Sequence, residues 1–170
     1  MFARVLRLSL AAFAGSLIVS APAAAKAAPV AKAQIIVAAD VNPDSTGRAS
    51  PVVVRVYQLK EEGQFASSDF FALYDNEAST LGGGFIAREE YVLQPGENRE
   101  IELKLEKEAK YLGVIAAYRD IRNSKWRALS AAPEKNLIDL IRKDRVTLTV
   151  SRAEVAIQIG KPKPDKRKKK

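Results

Sequence analysis

Few side chains in this sequence belong to the types that carry catalysis. The 170 residues contain no histidine and no cysteine, which removes imidazole bases, thiolate nucleophiles and the common zinc ligand sets. No serine is followed by lysine at the Ser-x-x-Lys spacing. Covalent hydrolysis through the usual triads and dyads is therefore disfavoured.

Four carboxylates remain as candidates for acid–base chemistry by residue type: Asp69, Asp75, Glu89 and Glu90. A glycosidase needs two carboxyl groups at a defined separation, which sequence spacing does not supply. Solvated charges and helix caps are the interpretation that we favour for them. The sequence predicts a protein that is not an enzyme, with no catalytic residue, cofactor or metal site.

A glycine pattern formally matches a nucleotide-binding fingerprint. Gly82, Gly84 and Ala87 have the G-x-G-x-x-A spacing. That fingerprint follows a strand and opens a helix, whereas here the predicted order is helix and then strand. A simple helix-to-strand turn is favoured.

Aromatic side chains offer a second possible ligand surface. Exposed rings could form a carbohydrate platform, but these rings lie within strong helix and strand patterns, which favours core packing. The rings concerned are Tyr57, Phe70, Phe71, Tyr74, Tyr91, Tyr111 and Tyr118.

The net charge of +8 is concentrated at the two ends of the sequence. Residues 161–170 contain seven Lys or Arg and one Asp, and residues 1–32 contain four bases and no acid, which leaves −2 on residues 33–160. Nucleic-acid binding needs basic residues clustered on a folded face, so no nucleic acid is expected as a partner. Residues 161–170 are typical of a solvated, disordered tail. Their positive charge would also suit weak attachment to an anionic envelope surface.

The first 25 residues have the organisation of a signal peptide. Arg4 and Arg7 precede an apolar run over residues 8–19, and three alanines at 23–25 follow it. The run is shorter than the roughly 20 residues of a membrane span. We expect export, with cleavage near Ala25 or, as the alternative, near Ala27. Residues 26–32 would then form a flexible spacer before a domain over residues 33–160.

Alternating apolar residues predict seven strands in this domain. They cover residues 34–39, 52–59, 85–93, 101–105, 111–118, 146–150 and 155–159. Residues 111–118 have no polar face, which is typical of a central strand covered on both sides. The short connections favour antiparallel pairing and a two-sheet sandwich.

Helical spacing interrupts the strand pattern twice. Apolar residues from Phe70 to Leu81 predict one helix, with Ser67 or Ser68 as its N-cap and Gly82 as its end. Pro133 can begin a second, short helix. The predicted fold is mainly β: a two-sheet β-sandwich with short helical insertions.

Several segments together resemble a known family in their order and spacing. The segments are SPVVVRVYQL at 50–59, Phe65 with DFFALY at 69–74, REEYVLQPGE at 88–97, and YLGVIAAYRDI at 111–121 followed by Trp126 and Arg127. The chain is similar to the TssJ (SciN or VasD) family of outer-membrane lipoproteins of bacterial type VI secretion. The resemblance implies a transthyretin-like β-sandwich with added helices and no catalysis.

The resemblance also implies a partner and a site. Family members sit at the inner face of the outer membrane and bind the periplasmic C-terminal region of TssM, an inner-membrane component, alongside other membrane-complex subunits. The loop between the first two strands is implicated in that contact and corresponds here to residues 41–49. The expected partner-binding residues are Val41, Asn42, Pro43, Asp44, Ser45, Thr46, Gly47 and Arg48.

One departure from the family changes the expected attachment. The family carries a lipid-bearing cysteine just after the export segment, and this sequence has none. Membrane association is therefore expected to be indirect or weak, through partners, an uncleaved anchor or an accessory envelope protein. The alternative function from another class is a secreted carbohydrate- or ligand-binding β-sandwich that uses exposed aromatics.

Overall fold

The computed structural model describes residues 30–133 and 146–160. Eight strands lie within these ranges: β1 Val30–Val37, β2 Val52–Leu59, β3 Phe85–Leu93, β4 Asn98–Lys104, β5 Tyr111–Ala116, β6 Arg127–Ala131, β7 Val146–Val150 and β8 Val155–Ile159. Three short helices, α1 Gly63–Ser67, α2 Phe70–Asp75 and α3 Glu77–Leu81, separate β2 from β3, and two 3-10 turns cover Gly82–Gly84 and Ile121–Asn123. The predicted signal peptide, the helix after Pro133 and the basic tail lie outside the described residues.

The strands form two four-stranded sheets, in the orders β4-β1-β7-β8 and β3-β2-β5-β6. All paired strands are antiparallel except β1 and β7, which run parallel from the pair Ala33–Val146 to Val37–Val150. A single parallel bridge between Lys125 and Glu154 connects the two sheets next to β6 and β8. The prediction of a mainly β, two-sheet fold is confirmed.

The main core lies between the two sheets. Alternate residues of β1 point inward, because Ala31, Ala33, Ile35 and Val37 are buried while the residues between them are exposed or half-buried. The inward residues of β2, β5 and β7 meet them to form one apolar cluster. This alternation is what a sheet with one wet face requires.

The helices form a third layer on the outer face of the second sheet. Phe65 and Leu73 from the helices pack against Tyr57 and Ile115 of the sheet, and all four side chains are fully buried. Gly113 leaves the space for the Phe65 ring, since a Cβ atom built at this glycine would lie 2.6 Å from that ring. The prediction of a central strand covered on both sides is confirmed for β5.

Arg55 attaches the helices to the sheet. From β2 its guanidinium Nε donates to Glu90 Oε2 at 2.6 Å, and its Nη1 donates to the carbonyl of Tyr74 in α2. The guanidinium carbon also lies 3.8 Å from the centre of the Tyr74 ring. A second ion pair joins Arg55 Nη1 to Glu77 Oε2 of α3 at 3.7 Å. One side chain therefore contacts both later helices and the edge strand β3.

Three details of the fold differ from the sequence prediction. The single helix predicted from Phe70 to Leu81 is two helices, α2 and α3, and α1 was not predicted. The N-cap of α2 is Asp69, not Ser67 or Ser68, and it accepts the Ala72 N–H at 2.9 Å. β1 begins at Val30, so the last three residues of the predicted spacer belong to a strand. β6 was not predicted, because four of its five residues are half-buried and lack a clear alternation.

Candidate functional site

Four connections lie at one end of the sandwich, which we call the loop end. They are the β1–β2 loop (residues 38–51), the β3–β4 turn (94–97), the β5–β6 loop (117–126) and the β7–β8 turn (151–154). The strand registers place them together, since Val52 is opposite Leu93 and Ile36 is opposite Asn98. The predicted partner-binding residues 41–48 belong to the first of these connections.

Asp44 organises the exposed half of the β1–β2 loop. Its Oδ1 accepts from the Thr46 hydroxyl at 2.6 Å and from the backbone N–H groups of Thr46 and Arg48 at 2.9 and 3.0 Å. Its own N–H donates to the Arg48 carbonyl at 2.9 Å, and the Gly47 N–H donates to the Asp44 carbonyl. Gly47 has φ +84, a backbone conformation that glycine adopts without a steric penalty.

The same hydrogen bonds favour the charged form of Asp44. The hydroxyl of Thr46 contributes most and the backbone N–H of Arg48 next, and together they lower the pKa of the carboxyl to about 2. The carboxylate is therefore fully ionised at neutral pH. Its bonds are made within the loop, so the loop has a defined shape before any partner binds.

Asn42 anchors the loop to its neighbours. This residue is 5% exposed and has φ +46, a left-handed conformation in which asparagine is enriched. Its side chain donates to the carbonyl of Pro51 at 2.7 Å and accepts the N–H of Arg119 at 2.8 Å. Its backbone N–H donates to the carbonyl of Arg152 at 3.1 Å. One residue thereby ties together three of the four connections at the loop end.

The eight predicted partner-binding residues fall into two groups. Val41 is fully buried and Asn42 nearly so, so these two position the loop and do not present side chains to solvent. The exposed residues are Ser45, Thr46, Gly47 and Arg48, and Pro43 and Asp44 are half-buried. Turn-forming residues in a sequence predict a loop, but they do not show which of its residues are buried and which are exposed.

The sequence prediction did not include the neighbours of the loop. A shallow cleft of about 600 Å³ separates residues 42–45 from the β5–β6 loop and the β7–β8 turn, with Arg119, Asp120, Asn123 and Arg152 along it. Tyr118 forms part of its floor and donates to the Ser151 carbonyl at 3.2 Å, and burial raises the pKa of this phenol. The sequence indicated segment 111–121 as a central strand and as part of the family resemblance, but not as a neighbour of the loop, because no local pattern shows which residues the end of a strand contacts.

Three of the four acid–base candidates and the glycines have structural roles, and Asp75 is exposed at the end of α2. Asp69 caps α2, Glu89 accepts from the Tyr91 hydroxyl and Glu90 pairs with Arg55 and Arg88. Gly82 ends α3 at φ +49 and leads through a 3-10 turn into β3. The motif therefore stands between a helix and a strand, in the order opposite to the nucleotide-binding fingerprint.

The aromatic prediction holds for six of the seven rings. Tyr57, Phe70 and Tyr118 are buried, and Tyr74, Tyr91 and Tyr111 are half-buried within the apolar clusters or against them. Phe71 differs, since 62% of it is exposed. Core packing was the wrong expectation for Phe71, because helical spacing does not show which side of a short helix the sheet covers.

Residues 30–133 and 146–160 contain neither a group of metal ligands nor a helix that could cross a membrane. In that part of the chain no three acidic, histidine or cysteine side chains cluster closely enough to hold a metal ion. None of the helices described there is long and apolar enough to cross a membrane.

These features together define a class of protein. A two-sheet scaffold presents ordered loops at one end, and most of the polar side chains described above make structural hydrogen bonds and ion pairs. The class is a loop-presenting β-sandwich, and loops held by a rigid scaffold commonly carry binding residues.

A comparison with protein families identifies the chain further. The family of type VI secretion lipoproteins, described as VasD, EvfM and TssJ, matches residues 29–159. The chain belongs to this family. The prediction of a non-catalytic structural subunit of type VI secretion is confirmed at the level of the family.

Solved structures give the same result. The type VI secretion lipoprotein TssJ1 from Pseudomonas aeruginosa is 34% identical, with a TM-score of 0.71 over 81% of this chain and 99% of the other. A chain of a type VI membrane complex is 26% identical, with a TM-score of 0.65 over 77% and 98%. Lip from Serratia marcescens, a membrane-bound component of type VI secretion, shares the fold at 21% identity and a TM-score of 0.67 over 76% and 96%. No curated protein sequence matches the chain significantly.

A further similar chain belongs to a structure described as the type VI secretion protein TssM C-terminal domain from EAEC. It is 26% identical, with a TM-score of 0.60 over 76% of this chain and 97% of the other.

Proposed function

We propose that this protein is a periplasmic structural subunit of the type VI secretion membrane complex that binds the periplasmic part of a TssM-type component through its loop end. The observation that carries the proposal is the pre-ordered β1–β2 loop, in which Asp44 and Asn42 fix a crest formed by residues 43–48. Family membership supports the assembly, since similar chains occur in structures of a type VI membrane complex and of a TssM C-terminal domain.

The order of the loop favours this role physically. A loop that is flexible when free loses conformational entropy on binding, at a cost of roughly 0.5–1.5 kcal/mol for each immobilised side chain. Here five hydrogen bonds made by Asp44, Gly47 and their neighbours already restrict the crest. The crest therefore presents Ser45, Thr46 and Arg48 in a fixed geometry without a large ordering cost.

The direct test is to measure binding to the periplasmic domain of the TssM-type component encoded in the same genome. We would replace residues 43–48 by a Gly/Ser segment of equal length and keep Val41 and Asn42, because these two are buried and hold the scaffold. Biolayer interferometry should give a Kd at least about 30-fold weaker than that of the unchanged protein, the loss expected for removing an interface centre.

The matched control is a double substitution on the outer face of the first sheet. Glu102 and Lys104 of β4 are both exposed there, and Glu102→Ser/Lys104→Ser should bind as the unchanged protein does. Circular dichroism melting should confirm that both variants are folded. Full affinity in the loop variant would contradict the assignment of the loop, and no binding by the unchanged protein would contradict the assignment of the partner.

The same proposal includes the location of the protein. A partner-held subunit needs no lipid of its own, so we propose that contact with the membrane complex retains it near the outer membrane in the periplasm. Fractionation of cells with and without the TssM-type component tests this. Release of the protein from the envelope fraction in the deletion strain is the expected result, and unchanged retention would contradict it.

The structure offers little to the alternative of a carbohydrate-binding module. A sugar platform needs exposed rings side by side, and Phe71 is the most exposed ring of the seven candidates while Tyr57, Phe70 and Tyr118 are buried.

A further inference from the structure

An apolar surface lies beside the loop end, at the start of α2. Phe71 projects from this helix with 62% of its area in solvent, and it is the most exposed large apolar side chain in residues 30–133 and 146–160. The buried side chains of the same helix, Phe70 and Leu73, face the sheet. Phe71 therefore contributes little to the core, and its exposure requires another explanation.

The Phe71 ring contacts a buried aromatic ring despite its exposure. It meets Phe70 edge to face, with 5.4 Å between ring centres. Phe70 in turn stacks on Tyr74 at 5.2 Å and meets Trp126 of the β5–β6 loop at 5.4 Å. An aromatic ring on a rigid support loses little entropy when a partner covers it, and aromatic residues are enriched at interface centres for this reason.

The surroundings of Phe71 are cationic. A cleft of about 470 Å³ runs from Phe70 and Phe71 to the β5–β6 loop, where Arg119 and Arg122 line it. Both arginines are exposed, and neither makes an ion pair with any residue that the structure describes. Deeper in the same region Arg127 lies 4.7 Å from the Trp126 ring and donates to the carbonyls of Phe65 and Ser68.

Two carboxylates near this cleft hydrogen-bond within their own segments. Asp120 accepts from the backbone and side-chain N–H groups of Asn123 at distances of 2.8 to 3.3 Å. Asp69 accepts the Ala72 N–H as the N-cap of α2. Two arginines and one aspartate line the cleft, so these three side chains leave it a net positive charge, which attracts carboxylates of another molecule.

The cleft is continuous with the proposed partner-binding loop. Tyr118, Arg119 and Asp120 line both this cleft and the one beside residues 42–45. The hydrogen bond from Arg119 to Asn42 fixes the position of one region relative to the other. A single partner that covers the crest at residues 43–48 would thus extend onto Phe71 and the two arginines.

We propose that Phe71, Arg119 and Arg122, the aromatic–arginine patch, bind a segment of the partner's periplasmic domain that carries an aromatic or aliphatic side chain next to one or two carboxylates. This inference rests on the proposed function, because the partner is the TssM-type component. The apolar side chain lies against Phe71, and the carboxylates pair with the two guanidinium groups. Apolar contact gives most of the affinity, and the charges give the orientation and the rate of association.

Three variants test the patch, with the periplasmic domain of the TssM-type component as the probe. Phe71→Ser should raise the Kd about 10-fold or more, the typical loss for a truncated aromatic anchor. Arg119→Glu/Arg122→Glu should lower the association rate about 10-fold or more at low salt and reduce its dependence on ionic strength. The triple variant should bind more weakly than either.

The controls match each change in type and exposure. Val92→Ser removes another exposed apolar side chain, 55% exposed on the edge strand β3, and Lys104→Glu reverses an exposed charge on the first sheet. Both should bind within about twofold of the unchanged protein. A charge-reversed partner, with surface Asp or Glu changed to Arg at the contact, should restore binding to Arg119→Glu/Arg122→Glu.

The outcomes separate this inference from the proposed function. If the unchanged protein does not bind the probe, the proposed function fails and the inference fails with it. If it binds, the loop replacement abolishes binding and the three patch variants bind normally, the inference alone is overturned. Normal binding by Arg119→Glu/Arg122→Glu, or faster association, would overturn the acidic character assigned to the partner segment.

Discussion

The backbone N–H of Arg119 donates to the side-chain oxygen of Asn42 at 2.8 Å, across 77 positions of sequence. This bond joins the β1–β2 loop, which passes from the first sheet to the second, to the β5–β6 loop of the second sheet. The other end of the same amide donates to the Pro51 carbonyl. This nearly buried amide therefore contributes to the shape of the loop end, together with backbone hydrogen bonds such as that from the Ser50 N–H to the Val41 carbonyl at 3.1 Å.

Asn42→Ala should destabilise the protein by about 2–4 kcal/mol. Two partners lose their hydrogen bonds, at about 1–3 kcal/mol for buried groups left unsatisfied, and alanine at φ +46 costs roughly 1 kcal/mol more. Urea unfolding followed by tryptophan fluorescence measures the change through Trp126.

A glycine at the same position separates the two contributions. Asn42→Gly removes the hydrogen bonds and tolerates the positive φ, so it should be less destabilising than Asn42→Ala by roughly 1 kcal/mol. Ser45→Ala is the control, since Ser45 is exposed on the crest of the same loop, and it should change stability by less than about 0.5 kcal/mol. Equal stability of Asn42→Ala and the unchanged protein would show that the amide is not an anchor.

Asp44 should remain charged far below the usual range for a carboxyl group. Its pKa is lowered from 3.8 to about 2 by the Thr46 hydroxyl and the Arg48 N–H. Because the folded state favours the carboxylate, the stability it contributes is complete above about pH 4 and is lost as the pH falls towards 2. The amide resonances of Thr46 and Arg48 should report this titration in NMR spectra recorded between pH 5 and pH 2.

The Asp44→Asn variant is the control for this titration. Asparagine cannot ionise, so the pH-dependent shift of the Thr46 and Arg48 resonances should disappear. A titration midpoint near 3.8 in the unchanged protein would mean that the hydrogen bonds of the crest do not form in solution.

The sequence predicted the strands of this fold better than its helices. Residues 52–59 form one strand, as predicted, because a run of β-branched and aromatic residues after Pro51 leaves little choice of conformation. The helix predicted from Phe70 to Leu81 divides at Asn76, whose backbone leaves the helical conformation at φ −133 and ψ 38, and asparagine favours such helix ends over helix interiors. The spacing of apolar residues predicts that a segment is helical, but it does not show where polar residues interrupt the helix.

The sequence predicted which segment forms the candidate site, but not which residues from other segments lie beside it. Residues 41–48 were found through their turn formers and a family resemblance, but the burial of Val41 and Asn42 depends on residues near 119 and 152. Contacts over such distances leave no local pattern. For the same reason neither the exposure of Phe71 nor its neighbours Arg119 and Arg122 could be read from spacing.

Gly113→Ala should destabilise the protein by about 1–3 kcal/mol, the usual cost of overpacking. A Cβ atom at this position would lie 2.6 to 2.8 Å from three carbons of the Phe65 ring, which is itself fully buried. The helical layer would therefore have to move away from β5. Urea unfolding gives the free energy, and amide hydrogen exchange in α1 and α2 should accelerate.

Replacing Phe65 by a smaller side chain tests whether Gly113→Ala acts through its contact with the Phe65 ring. In the Phe65→Leu background, Gly113→Ala should cost less than it does alone, giving a coupling energy of about 0.5–3 kcal/mol between the two sites. Gly63→Ala is the control, because no atom lies within 4 Å of a Cβ built there. Strictly additive effects at 65 and 113 would contradict the contact between them.

Residues 161–170 should bind anionic lipid surfaces weakly and in a salt-dependent manner. Seven basic residues and one acid lie in this segment, and each basic residue near such a surface contributes about 1 kcal/mol. The segment follows β8, whose last residue Ile159 pairs with Val146, which in turn pairs with Ala33 near the start of β1. β8 therefore ends at the end of the sandwich opposite the β1–β2 loop.

Co-sedimentation with vesicles tests this attachment. The chain should sediment with vesicles that contain phosphatidylglycerol at low salt and not with purely zwitterionic vesicles, and about 0.5 M salt should release it because screening shortens the range of the attraction. A variant with the seven basic residues of 161–170 changed to Gln should not sediment, while the Glu102→Ser/Lys104→Ser control should behave as the unchanged chain. Sedimentation that persists at high salt would mean that apolar insertion, and not the charge of this segment, attaches the protein to the membrane.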